Sequence, residues 1–592
     1  MIQMPKGKIE RIAVYAIILE TNKPSSALMA NIPDGDKGIS FDGDIAVYKD
    51  HSETVESLIG KVPVQVKGTQ VDKFSNGTRT FPMELKHIKN YYDSNGVILF
   101  VVEILKNGDT KIFYKQLLPN ELREILIKYG EKKQQKQRNI ELRPLSETTL
   151  DIVCKNFIEE SKKQPQVLIE NNPFKDDEYT SFELTSLTFN PIKAETSNIF
   201  EHDFTIYGIK ETLSVPLSQA RIQSYSSEFT EIFITNGRLH KLQTQFTFEK
   251  SSSILLIENS LEITFKKDNF NFNLVRLNSL SSQLKVLPFI LDFLYSKEIE
   301  LRTNDLKLEN LHLVDTVKVT KAFERLYSTF KNLKIIFEEL NIDLDTRIDS
   351  ESLDLNSLID QITSLVRMYL DNDYSTFKNP EKARFALFPL GELKLLFFYN
   401  PDSENLLMDA FSDKIIQMDT RIAVDDIANP HSPYILIPYH TLAVAVNLKI
   451  EQIKKSFDNI NPFLNDISSD LTNQFCLNCI SAFDLSQNFA FLDLADHIYN
   501  KFDGVVSFRN IVLVNQLQIK IRRNGSLSDK DYEKLINLKQ LNQSDIVLQF
   551  CASVLLKSKI ESTSFFSQLG FEEQKFIKKY PIYTIYKNLI NE

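Results

Sequence analysis

The chain has 592 residues, 42% of them hydrophobic, with 69 Lys and Arg against 79 Asp and Glu for a net charge of −10. That length exceeds one ordinary core, and that balance of apolar and charged residues excludes a disordered or fibrous chain, so several soluble globular domains are expected. Four cysteines, Cys154, Cys476, Cys479 and Cys551, exclude a disulfide framework and predict a reducing cytoplasm. The charge is uneven: residues 1–143 hold 22 Lys and Arg against 18 Asp and Glu, a net of +4, which leaves −14 for the remainder. A basic bias inside an acidic protein is compatible with nucleic acid binding at that end, although ordinary scatter accounts for it equally well.

Residues 8–21 are apolar nearly all round as a helix, which predicts burial on most sides. Their run IAVYAIIL follows Lys6, Lys8 and Arg11 as a signal peptide would, but it is bracketed by Glu10 and Glu20. It also falls far short of the ~20 residues that span a bilayer, so no membrane partner is expected. Residues 22–38 read as a polar loop, and 45–48 and 61–67 as strands. In the second strand Val62, Val64 and Val66 share one face and Pro63, Gln65 and Lys67 the other. A polar loop over 69–81 leads to a helix at 84–92. VILFVVEIL at 97–105 is apolar on both faces, as in a covered central strand. Asn107-Gly108 turns the chain into TKIFYK at 110–115, and LPNELREILIKY at 118–129 is helical. This order makes one small mixed α/β domain over 1–130.

The basic stretch EKKQQKQRNIELR, 131–143, reads as a linker or helix extension that opens a polar linker or helical connector over 131–180. Alternation over 181–284, with a turn at Asn236-Gly237, predicts an antiparallel β-rich domain. From 285 to 592 the spacing is mostly helical, as in VTKAFERLYSTFKNLKIIFEEL, with a β-like interruption near 385–448. The predicted fold class is multidomain α+β. No repeat of fixed period supports a solenoid.

Gln65 and Lys67 lie side by side opposite an apolar face, and Asp42-Gly43-Asp44 opens the preceding strand. A hard divalent cation such as Mg²⁺ wants oxygen ligands, and Asp42, the Gln65 side-chain oxygen and a nearby carbonyl can supply them. Lys67 then lies beside the metal, where its ammonium can orient water and stabilise charge developing on a phosphate.

Asp-Gly-Asp followed by Gln-Val-Lys, in the order helix, strand, strand, helix, strand, resembles the PD-(D/E)XK nuclease superfamily in its Q-x-K form. The wider string KGISFDGDIAVY…GKVPVQVKGT…NGVILFVVEIL…KIFYKQLLP resembles an uncharacterised bacterial nuclease-like family found in anti-phage defence contexts. The resemblance covers residues 8–128. It implies a metal-dependent DNA endonuclease, with RNA as the alternative substrate, using Mg²⁺ or Mn²⁺. Its implied active-site positions are Asp42, Gln65 and Lys67. The first-helix Glu falls on Glu10, with Glu20 as competitor and Asp44 as a further candidate; Asp42, Gln65 and Glu10 are the implied metal ligands. Gln65 replaces the acid of the common form, so metal binding is expected to be weaker, and inactive members of such families are expected. The basic residues Lys73, Arg79, Lys132, Lys133 and Arg138 are expected on nucleic acid. The long C-terminal part is expected to sense a trigger, form a homo-oligomer or bind a second defence-system subunit.

Other motifs carry less. Cys476-Leu477-Asn478-Cys479 lacks the second pair that a structural zinc site needs, so two buried thiols on a helix are expected. There is no P-loop and no nucleophile elbow. His431 and His440 flank SPYILIPY, where packing is the expected role.

Overall fold

The computed structural model describes residues 4–591 except 34–38, 131–135, 173, 191–197, 267–268, 303–305, 309–315, 350–351, 376–380 and 425–426. It is a mixed α+β protein with antiparallel sheets and a helical C-terminal region. The chain divides into two compact units: residues 1–225 with 248–251, and residues 226–247 with 252–592.

The first unit opens with α1 (Lys6–Thr21), β1 (Leu28–Asn31), β2 (Gly43–Tyr48) and β3 (Leu58–Gln70). It continues through β4 (Arg79–Glu84), α2 (Leu85–Asp93), β5 (Val97–Ile104), β6 (Thr110–Leu117), α3 (Pro119–Tyr129) and β7 (Gln137–Pro144). These strands form one sheet in the order β1-β2-β3-β5-β6-β7-β4. The pairs β1–β2, β2–β3 and β5–β6 are antiparallel, whereas β3–β5 is parallel, with Gln65 opposite Leu99 and Lys67 opposite Val101. A parallel pair needs a crossover, and here the chain returns through β4 and α2.

The alternation in β3 sorts the layers. Val62, Val64 and Val66 pack with Ile98, Phe100 and Val102 against α1 and α4 (Leu150–Lys162). On the opposite face Val97, Leu99 and Val101 pack against Ile88 and Tyr91 of α2 and Leu122 of α3. Every residue of β5 is buried, as its continuous apolar run requires. A Cβ at Gly68 would meet the Ile9 carbonyl oxygen at 2.8 Å and the Ala13 Cβ at 3.1 Å, so glycine sets how closely α1 lies on β3. At Gly43, with φ +152°, a Cβ would fall 2.2 Å from the Asn31 carbonyl oxygen; the glycine after Asp42 lets β1 approach.

Of the stretch expected as a polar linker or helical connector over 131–180, the described residues are built into the fold and are partly helical. From 137 to 144 they form β7, antiparallel to β4, with Ile140, Leu142 and Pro144 buried on alternate positions. Val153, Cys154 and Phe157 of α4 are part of the sheet's core, and the short α5 (Gln166–Glu170) follows. Residues 28–31, expected in a loop, pair as β1 because Leu28 to Asn31 register against Val47 to Asp44. The β-rich stretch over 181–284 is divided. Its β8 (Ser181–Thr185), β9 (Phe204–Lys210) and β10 (Leu213–Ala220) form a three-stranded sheet within the first unit. A chain of ion pairs links that sheet to the first: Lys115 to Glu121 at 3.0 Å and to Asp203 at 2.9 Å, and Arg221 to Asp203 and Glu141, each at 2.6 Å.

The second unit is built on a seven-stranded sheet. It contains β11 (Ser224–Thr235), β12 (Arg238–Glu249), β13 (Ser252–Ile257), β14 (Leu261–Lys266) and β15 (Asn269–Leu274), together with β16 (Ile299–Leu301) and β17 (Leu306–Leu308). Asn236 and Gly237 both have positive φ, the turn expected there. The helices α6 (Leu280–Ser296), α7 (Thr316–Glu339) and α8 (Leu355–Tyr369) share its core through Phe289, Phe337 and Leu365. The β-like interruption is real but ends earlier than 448. It comprises β18 (Arg384–Leu390), β19 (Leu393–Tyr399), β20 (Leu407–Asp409), α9 (Asp413–Ile416), β21 (Arg421–Val424) and β22 (Ile427–Pro430). Among the described residues ten α-helices follow: α10 (Tyr439–Val444), α11 (Ile450–Asp458), α12 (Asp466–Ser486), α13 (Ala490–Tyr499), α14 (Arg509–Asn524), α15 (Asp529–Leu541), α16 (Ile546–Leu555), α17 (Lys559–Gln568), α18 (Phe571–Ile577) and α19 (Pro581–Asn591). Cys476 and Cys479 are buried free thiols on α12, as expected. Among the described residues no helix is long and apolar enough to cross a membrane.

Candidate functional site

Asp42 immediately precedes β2, and its backbone N–H donates to the Val64 carbonyl at 2.9 Å, which extends the β2–β3 ladder by one residue. That places its side chain against Gln65 and Val66. Its carboxylate oxygen accepts from the Val66 backbone N–H at 2.7 Å and from the Gln65 amide nitrogen. Both side chains are buried. Lys67, two residues further along β3 and half-buried, lies on the same face as Gln65 because side chains alternate. The three residues expected at the active site are therefore neighbours on one strand pair, on the face that α2 covers.

Three residues of α2 that were not anticipated complete this site. Tyr91 donates its hydroxyl to the Gln65 amide oxygen at 3.4 Å. Burial, with the Asp42 charge adding, raises the Tyr91 phenol well above its ordinary pKa, so it is a neutral donor. Asn90 donates to Ser40 Oγ at 2.7 Å, and His87 Nδ1 shares a hydrogen bond with the same hydroxyl, also at 2.7 Å. Phe41 meets the Tyr91 ring edge-on at 5.4 Å. The His87 pKa is lowered by burial first, with the charges of Lys86 and Lys67 adding. His87, Asn90 and Tyr91 are spaced i, i+3 and i+4, so they occupy one face of α2. That face holds the segment leading into Asp42, and the spacing was the signal available in the sequence.

Glu10 is placed differently from the others. It is exposed on α1, which packs on the Val62, Val64 and Val66 face, opposite Gln65 and Lys67. Glu20 pairs with Lys23 at 2.6 Å near the C-terminal end of α1. Asp44 lies beside Asp42 at the register position of Pro63, 3.8 Å from the Lys61 ammonium.

The basic residues divide as well. Arg79 is not a loop residue offered to solvent: its guanidinium pairs with Glu103, a carboxylate buried on β5. Glu103 also accepts from the Ser75 hydroxyl at 2.6 Å and backbone N–H at 2.8 Å, so this cluster pins the β3–β4 loop to the central strand. A lone carboxylate inside VILFVVEIL was its sequence signal. Arg138 lies on β7 with its guanidinium 4.4 Å from the Tyr129 ring centroid, in cation–π geometry. Lys73 is exposed in the β3–β4 loop. Lys132 and Lys133 lie outside the described residues.

Mg²⁺ is commonly held by one or two carboxylates plus substrate oxygens, and the oxygens that could serve it here are those of Asp42 and Gln65. Asp42 supplies one carboxylate. The Gln65 amide presents its nitrogen to Asp42, and a half-turn of that group would present its oxygen instead. Among the described residues no group of three His, Cys, Asp or Glu side chains is arranged to hold a metal. No family model, curated protein or solved structure matches the chain.

Proposed function

We propose that the protein is a divalent-metal-dependent endonuclease acting on DNA, with its site at Asp42, Gln65 and Lys67. The observation that carries this reading is the buried contact of Asp42 with Gln65 and Val66, beside Lys67, on an antiparallel strand pair whose second strand continues into a parallel crossover. The resemblance drawn from the sequence supports the same reading and extends it to an effector of bacterial anti-phage defence. In that role the second unit senses a trigger, oligomerises or binds a further subunit. Asp42 and, with its amide turned, the Gln65 oxygen would hold Mg²⁺ or Mn²⁺, whose chemistry would be to polarise the scissile phosphate and activate a water. Lys67 places a positive charge where the attacked phosphate gains negative charge. With the Gln65 amide turned, its nitrogen would face the Tyr91 hydroxyl instead of its oxygen, and Ser40, His87 and Asn90 hold the segment that carries Asp42.

One observation favours a second reading, a nuclease fold kept for nucleic acid binding or scaffolding without cleavage. The Gln65 amide nitrogen already satisfies Asp42, and only one carboxylate is committed at the centre. A plasmid-cleavage assay with Mg²⁺ or Mn²⁺, comparing wild type with Lys67→Ala, decides between them. Nicking or linearisation by wild type that is lost in Lys67→Ala supports the enzyme. No cleavage by wild type under either metal supports the scaffold.

A further inference from the structure

Hydrolysis of a phosphodiester needs a group that takes a proton from the attacking water. Around Gln65 the residues already placed at the site are committed elsewhere. Asp42 accepts from the Val66 N–H and from the Gln65 amide, and Lys67 is the cation. Burial keeps the Tyr91 phenol neutral, and its hydroxyl donates to Gln65.

His87 stands beside them with its ring fixed on two sides. Nδ1 shares a 2.7 Å hydrogen bond with Ser40 Oγ, and the ring stacks on that of Tyr91, with centroids 6.4 Å apart and planes 24° apart. Ser40 is itself held firmly. It is buried, Asn90 donates to its hydroxyl at 2.7 Å, and its φ of +71° is a left-handed conformation that a non-glycine residue keeps where its surroundings impose it. Such positions cluster at functional sites.

A hydroxyl oxygen has two lone pairs, so Ser40 can accept from Asn90 and from His87 Nδ1–H together. In that tautomer the ring's lone pair lies on Nε2. A proton gained there leaves the Ser40 bond as it was, so the ring is held alike in both charge states. His87 is partly exposed, and Nε2 has no partner among the described residues. The charges that face the ring are Lys86 and Glu84 around the start of α2 and Lys67 on β3. Burial first, and then Lys86, lower its pKa; Glu84 opposes this and Lys67 adds to it, so the ring is neutral at pH 7.

We propose that His87 is the general base of the cleavage reaction, an inference that rests on the nuclease reading of Asp42, Gln65 and Lys67. Nε2 takes a proton from the attacking water while the water oxygen forms its bond to phosphorus and the bond from phosphorus to the leaving ester oxygen breaks. The leaving alkoxide takes a proton from solvent, and the imidazolium releases one to solvent, which restores the neutral ring.

The test compares His87→Asn and His87→Gln with wild type in single-turnover plasmid cleavage, beside thermal melts of the full chain. An Asn amide reaches Ser40 from about the place of Nδ1 but has nothing at Nε2. His87→Asn should therefore keep the wild-type Tm and cut about 10²-fold more slowly or worse, the scale of a lost general base, with KM little changed. His87→Gln abandons Ser40 and should be slow and less stable. A residue that only anchors Ser40 would give a fast His87→Asn protein, and that result overturns the proposal. Should His87→Asn misfold, the wild-type pH profile decides. Its rate should be level above pH 6.5 and fall by about tenfold per unit once the imidazole is protonated, and a rate indifferent to acid through that range overturns the proposal. A wild type that cuts no DNA sinks the nuclease reading and this inference together. A wild type that cuts, with His87→Asn as fast, sinks this inference alone.

Discussion

Asp42 and Val66 are joined by a 2.7 Å hydrogen bond from the backbone N–H of a β-strand to a buried carboxylate. The same oxygen takes the Gln65 amide, so a candidate metal ligand also closes the end of the β2–β3 ladder. On the proposed function, activity and stability would be coupled at this residue, and its variants must be read on both scales.

Asp42→Ala leaves the buried Val66 N–H without its acceptor and should lower unfolding free energy by about 1–3 kcal/mol. Asp42→Asn keeps an acceptor oxygen and should lose less. Both should abolish metal-dependent cleavage, because the charged ligand is gone. Denaturation followed by circular dichroism, run beside the cleavage assay, separates the two effects. A variant that cuts as fast as wild type would remove Asp42 from the site.

Lys67→Ala should slow cleavage by about 10²-fold or more, the scale of losing one group that stabilises transition-state charge. DNA affinity, measured by fluorescence anisotropy, should change little, since one phosphate contact is a small share of the electrostatic total. A large loss of affinity with unchanged turnover would make Lys67 an anchor.

Arg79 and Lys73 should behave oppositely although they lie in and beside the same loop. Arg79→Ala strands the buried Glu103 carboxylate and should destabilise the first unit by about 3–5 kcal/mol. Lys73→Ala should leave stability unchanged and reduce the salt dependence of DNA binding. Thermal melts and salt titrations of the two variants check this. A stable Arg79→Ala protein with weakened DNA binding would reverse the assignment.

Gly68→Ala should destabilise the first unit by about 1–3 kcal/mol, because its new methyl meets the Ile9 carbonyl and α1 must shift. The shift should be visible as faster hydrogen exchange in α1 and β3. An unchanged melting temperature would mean that α1 is not seated on β3 as described.

The first unit should lose stability in two steps as pH falls. Burial holds the His202 pKa down to about 4, below its ordinary value near 6.5. The neutral ring is thus favoured by folding above pH 6.5, and that contribution disappears as pH drops through about 4. Burial pushes Asp203 up, but Lys115 and Arg221 outweigh it and hold its pKa to about 2. Its contribution persists above its ordinary value near 3.8 and is lost as pH falls through about 2. Buried Glu121, raised from its ordinary value, works in the opposite sense in the acid range. Hydrogen exchange of β9 amides against pH should show the upper step vanish in His202→Gln and the lower one flatten in Asp203→Asn.

Elements whose burial is written in their own spacing were legible without the structure. The alternation of Val62, Val64 and Val66, the unbroken apolar run of β5, the Asn236-Gly237 turn and the helical thiols Cys476 and Cys479 all appear where expected. Each is a local pattern whose period reports which side faces a core. Asp42 and Gln65 were grouped from the sequence as candidate ligands, and their contact became visible only with the β2–β3 register.

Tertiary structure decided whatever depended on a partner distant in the chain. The stretch around Arg138 looked like a basic linker because its charges dominate, yet Ile140 and Leu142 are buried once β4 pairs beside them. Arg79 looked like a surface cation until Glu103, 24 positions away, appeared as its counter-ion. His87, Asn90 and Tyr91 acquired a role only when α2 was laid over the Gln65 face, and Glu10 fell on the other side of the sheet for the same reason. Sequence period shows that a face is covered. What covers it is set by packing between elements far apart in the chain, where one buried charge or hydroxyl selects its partner.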